Sequence, residues 1–135
     1  MKLFKVSTLF IIFFMIFIQG CKSDIELTME RGNYFYLNGD FSEASLEFKK
    51  IILQHSNKND LDIKQIEILA HAYQQLALSQ AQLGNQADSI NERIIDYRNA
   101  LENSKMAESL AIKEGKRSEY RKTRLGIENK LKLIQ

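Results

Sequence analysis

Apolar residues recur along most of this chain at helical spacing, and nowhere do they alternate as a half-buried strand requires. The first amphipathic stretch runs from about Ile25 to Asn38. It places Ile25, Met29 and Phe35 on one face, with Tyr36 beside them and Gly32 allowing close approach. Asn38-Gly39-Asp40 reads as a turn, because glycine at a helix C-terminus tolerates positive φ. A second stripe follows at Phe41, Ala44, Phe48 and Ile51, with Ser42 as candidate N-cap and Glu43 in the first turn. His55 to Asp60 reads as a polar loop. The third stretch starts near Asp60 or Asp62. It carries Ile63, Ile66, Leu69, Tyr73, Leu76, Gln80 and Leu83, widened by Ala70, Ala77 and Ala81 and ended by Gly84-Asn85. A fourth begins near Asp88 or Ser89, carries Ile90, Ile94, Tyr97, Leu101, Ala107, Leu110 and Ala111, and ends at Gly115. A fifth, from about Ser118, sets Tyr120, Ile127, Leu131 and Ile134 on one face, with Gly126 inside it. The pattern predicts an all-α fold of about five helices.

The start of the chain follows a different rule. Lys2 and Lys5 precede an apolar run from Val6 to Ile18, broken only by Ser7 and Thr8. Thirteen helical residues reach roughly 20 Å at ~1.5 Å each, short of the ~30 Å of a bilayer core. A basic start, a short apolar run and a small residue, Gly20, describe a secretory signal. Cys21 follows at once and is the only cysteine, so no intramolecular disulfide accounts for it. Ile18-Gln19-Gly20-Cys21 resembles a bacterial lipobox, from which Gln19 departs, since Ala, Ser or Thr is commoner there. The resemblance implies a signal peptide over residues 1–20. It also implies a diacylglycerol thioether on Cys21, and a new amino terminus there that is usually acylated. Residues 21–24 would form a lipidated tether. Each buried CH₂ of such chains contributes about 0.8 kcal/mol, so two or three chains anchor stably. Lys22, which follows the cysteine, points to the outer membrane if enteric sorting applies. The address is thus the cell membrane or outer membrane, lipid-anchored and facing the periplasm or the surface. The competing reading is an uncleaved signal anchor in the inner membrane.

The segment from Gly32 to Phe48 adds a second resemblance. Gly32, Phe35, the Gly39-Asp40 turn, Phe41, Ala44 and Phe48 resemble a tetratricopeptide repeat. Setting Gly39 on Gly84 gives a second, more degenerate unit with Tyr73, Leu76 and Ala77. Its partner positions, Tyr97, Ala100, Ser104 and Ala107, come about eleven residues late. Thr28, Arg31 and Gln80 depart from the repeat pattern, and the closing proline is absent. The resemblance implies antiparallel helix hairpins stacked as a short solenoid over 25–135. The first pair would span 25–55, a stretched second pair 60–113, and a capping helix with a polar outer face 118–134. A plain helical bundle with glycine turns is the alternative. One hairpin cannot bury its apolar stripe alone, so such units stack, dimerise or dock on a partner. Inner helices of these repeats usually line a peptide groove, which nominates Asn33, Tyr34, Tyr36, Gln74 and Gln75 as partner-binding residues.

Composition narrows the function classes. The chain has 135 residues, with 19 basic and 17 acidic side chains. From Cys21 onward the two counts are equal, at 17 each, so the mature body lacks the basic field that non-specific nucleic-acid binding needs. The charge is segregated. Residues 113–135 hold eight basic and three acidic side chains, leaving a compensating acidic excess before them. That tail reads as a solvated face, or as a contact for anionic lipid or an acidic partner. His55 and His71 have no metal-ligand spacing, and neither a serine elbow nor a phosphate-binding glycine loop is present. The expectation is a protein that is not an enzyme, with no metal and no cofactor. It would be a lipoprotein scaffold for unidentified envelope proteins, or a self-associating structural lipoprotein, with a homodimer as one form.

Overall fold

The computed structural model describes residues 23–56 and 58–135; the signal segment, Cys21 and Lys22 lie outside them. Five helices follow one another: α1 Asp24–Leu37, α2 Phe41–Ser56, α3 Ile63–Gln86, α4 Ile90–Leu110 and α5 Glu114–Lys132. No strand occurs among the described residues. The fold is all-α.

Three helix starts are set by short side chains. Ser23 Oγ accepts from the Glu26 amide at 3.3 Å, and the Glu26 carboxylate accepts from the Ser23 amide at 3.1 Å. Asp62 and Gln65 repeat this reciprocal box at 2.8 and 3.1 Å. Ser89 accepts from the Glu92 amide at 3.1 Å. Each such cap stabilises its helix by about 0.5–2 kcal/mol. Residues 23 and 24, expected in the tether, are therefore the cap and first turn of α1. Helix α1 ends at Gly39, whose φ of 84° is the only positive one among the described residues. There the amides of Gly39 and Asp40 return to the carbonyls of Tyr36 and Phe35 at 3.1 and 2.9 Å.

The helices pack in chain order. Helix α3 lies between α2 and α4, α1 covers α2 and α5 covers α4; α1 and α5 each touch α3 lightly and do not touch each other. Among the described residues that is a stack of hairpins with two open ends, whereas a closed bundle would join its first and last helices. Phe48, Ile51, Ile52, Leu69 and Leu76 centre the core shared by α1, α2 and α3. Tyr97, Ile127, Leu131 and the alanines Ala77, Ala81 and Ala100 form the core of α3, α4 and α5. Burying each of the larger side chains contributes about 1.5–3 kcal/mol.

Several expectations are corrected. His55 is not in a loop but in the last turn of α2, fully buried, with Nδ1 2.8 Å from the Ile51 carbonyl oxygen. Ile63 and Ile90, expected on the apolar stripes, are exposed as the first residues of α3 and α4. Gly115 lies in the first turn of α5 and does not end α4, which stops at Leu110. Gly84 is not a turn glycine equivalent to Gly39. It lies inside α3 against Tyr97, and an added Cβ would meet that ring at 2.8 Å. It thus matches Gly32, where an added Cβ would meet the Phe48 ring at 2.5 Å. The outer face of α5 is not wholly polar, since Leu125 and Leu133 are exposed on it.

Candidate functional site

The odd-numbered helices share one face, and two hollows run along it. The first, of about 240 Å³, lies between α3 and the α4–α5 junction. Its wall is apolar, from Ala70, Ala111, Ile112 and the Tyr120 ring. The second, of about 320 Å³, lies between α1 and α3 over Ile25, Met29 and Ile68. Glu67 and His71 line both and form the divide between them. Small residues create the first hollow: Ala70 on α3 and Ala111 after α4 leave space that Tyr120, itself buried, does not fill.

The charged groups sit at the rim. Lys113 Nζ pairs with Glu67 Oε1 at 2.8 Å, joining the start of α5 to α3. Lys116 pairs with Glu119 at 2.8 Å. Burial lowers the pKa of His71 below its ordinary value of 6.5, and the charge of Lys116 lowers it further against an opposing effect of Glu119. The imidazole is therefore neutral at neutral pH and offers one donor and one acceptor. Burial likewise raises the pKa of the Tyr120 hydroxyl. The face combines an apolar floor, a neutral imidazole and paired rim charges. Among the described residues, no group of three His, Cys, Asp or Glu gathers as metal ligands.

A pH dependence follows from His71. Its folded pKa is lowered, so between that value and 6.5 the unfolded chain binds more protons than the folded one. Stability contributed by the neutral imidazole is complete above 6.5 and is lost as pH falls from there toward the folded pKa. Denaturant midpoints across this window should fall for the wild type and stay flatter for His71→Gln.

The residues nominated from the sequence do not assemble on this face. Tyr34 is 65% exposed and points outward from α1, with its ring 5.8 Å from that of Phe35. Tyr36 packs against the core of the first hairpin, edge-on to Phe41 at 5.3 Å. Asn33 and Gln75 are half-buried. Gln74 is only 3% exposed, and its Nε2 donates to Thr123 Oγ1 at 2.7 Å, fastening α3 to α5. Cys21 lies outside the described residues. The two hollows lie along the N-terminal halves of α1 and α3, away from the nominated positions. The sequence carried a partial signal for this in the Ile25–Met29 pair and in Ala70 beside His71.

The basic tail is largely paired within the fold. Arg121 and Arg124 close on Glu108 of α4 at 2.7 and 2.6 Å. Arg124 first and Arg121 second hold the Glu108 carboxyl below the usual range. Lys132 meets Glu128 at 2.9 Å, and Lys130 lies over the Tyr97 ring and bonds Asn85 at 3.0 Å. Lys122 makes no ion pair among the described residues.

No protein-family model, curated protein or solved structure matches this chain. No helix among the described residues is long and apolar enough to cross a membrane.

Proposed function

We propose that the chain is a bacterial envelope lipoprotein, anchored through acyl groups on Cys21, whose tetratricopeptide-like helical domain scaffolds a protein complex. The observation that carries the scaffold is the pair of hollows joined at Glu67 and His71, on the face formed by α1, α3 and α5. An extended segment with apolar side chains fits there, its anchors entering the two hollows and its backbone meeting the His71 imidazole. The lipobox-like Ile18-Gln19-Gly20-Cys21 supports the anchor. Tethering at a membrane raises the effective concentration of whatever the groove engages.

Each half has its own test. Palmitate labelling should mark the wild type and leave Cys21→Ser unlabelled; equal labelling removes the anchor. A photo-crosslinking residue at position 71 should give one discrete adduct in intact cells, and the same residue at exposed position 98 on α4 should give none. Equal adducts from both positions, or none from 71, remove the groove.

A further inference from the structure

We propose that the two open ends of this stack fit each other, so that copies of the chain associate head to tail, with Tyr34 of one copy seated at Gly126 of the next. The inference goes beyond the scaffold reading and stands on the terminal helices alone.

Each hairpin of the fold closes by laying an aromatic ring on a glycine: Phe48 on Gly32, and Tyr97 on Gly84. Gly126 lies in the interior of α5, on its outward face. Nothing among the described residues lies within 4 Å of a Cβ added there. Glycine in a helix interior costs about 1 kcal/mol relative to alanine, and no contact among the described residues accounts for one here. Leu125 and Leu133 flank it, 44% and 85% exposed. At the other end of the stack, α1 exposes Leu27, Tyr34 and Leu37 on its own outward face. Tyr34 is the large exposed aromatic among the described residues.

The two faces match in register and in charge. Seven residues separate Leu27 from Tyr34, and seven separate Gly126 from Leu133. Laid antiparallel, Tyr34 falls on Gly126 while Leu27 falls on Leu133, and the Asn38–Asp40 turn comes beside Lys122. Helix α1 carries Asp24, Glu26 and Glu30 against Arg31, whereas α5 is rich in lysine and arginine. Lys122, without an ion pair among the described residues, projects from the same face as Leu125. A symmetric dimer through α1 would bring its acidic residues against their own copies, which like charges disfavour. A contact between unlike faces does not close on itself unless its rotation closes a ring, so it builds rings or open chains.

Oxidative cross-linking of the full chain in membranes tests this, with the wild type, which keeps Cys21, setting the background. The Leu27→Cys, Leu133→Cys double variant, which keeps Tyr34 and Gly126, should give a ladder of dimers, trimers and higher forms. The two single variants mixed should give dimers only, and each alone should give background. The first and last helices do not touch within one chain, so the double variant has no internal route to the bond. No atom among the described residues lies within 4 Å of a Cβ at position 126, so Gly126→Leu should keep the fold and melt at or slightly above the wild type. Placed in the Leu133→Cys chain, which supplies the Gly126 face, and mixed with a Leu27→Cys chain that keeps Tyr34, Gly126→Leu should return dimers to background. Absence of the ladder, dimers from Leu27→Cys alone, or dimers undiminished by Gly126→Leu would each overturn the proposal.

Discussion

Replacing Phe48 with alanine should lower the stability of the helical domain by about 3–5 kcal/mol, the largest effect of any single core substitution in this chain. Phe48 is fully buried and is the largest side chain in the core shared by α1, α2 and α3. Its ring lies against Gly32, which has no side chain of its own to fill the space the ring leaves. The first helix has few other holds: it packs on α2 and touches α3 only lightly. Loss of the ring should therefore free α1 as well as open a cavity. A domain of this size has roughly 5–15 kcal/mol in total. The expected fall in melting temperature is about 12–20 °C, at ~4 °C per kcal/mol. Thermal melts of the chain from Lys22 onward would measure it. A fall equivalent to less than about 1 kcal/mol would mean that the first hairpin does not depend on this wedge.

What the sequence made legible follows from the range of each interaction. Local chemistry was readable: the Gly39 turn depends on residues within a few positions of it, as do the starts at Asp62 and Ser89 and the Ala44–Phe48–Ile51 stripe. Features set by how helices cross were not. His55 looked like a loop residue because its neighbours are polar, yet the last turn of α2 carries it inside, where the Ile51 carbonyl satisfies Nδ1. Gly84 looked like a turn because Asn85 follows it, and only the position of Tyr97 shows that it is a close-packing glycine. The hollows show the same limit, since which part of α1 and α3 borders them depends on how α1 and the α4–α5 junction pack against α3. Gln74 reads from the sequence as a partner-binding residue, yet it is buried and bonded to Thr123, far away in sequence.

The same distinction predicts opposite signs for three chemically identical substitutions. By helix propensity alone, Gly32→Ala, Gly84→Ala and Gly126→Ala should each stabilise by up to about 1 kcal/mol. Packing reverses the first two. At Gly84 the new methyl would lie 2.8 Å from two carbons of the Tyr97 ring and 3.3 Å from Asp96 Cβ. That ring is held at its far end, where the hydroxyl donates to Asn85 Oδ1 at 2.7 Å. At Gly32 the approach to the Phe48 ring is closer still, at 2.5 Å, and the ring is enclosed on every side. Overpacking of this kind costs about 1–3 kcal/mol, so against the propensity gain the net expectation is a loss of up to about 2 kcal/mol at each site. At Gly126 nothing opposes the gain, and the isolated chain should become more stable. Urea midpoints of the three variants, measured at a concentration low enough to keep chains apart, separate the two effects. If all three rise, the aromatic-on-glycine contacts do not hold the hairpins closed. If the first two fall and Gly126→Ala rises, the glycine in α5 is not required by the fold of a single chain.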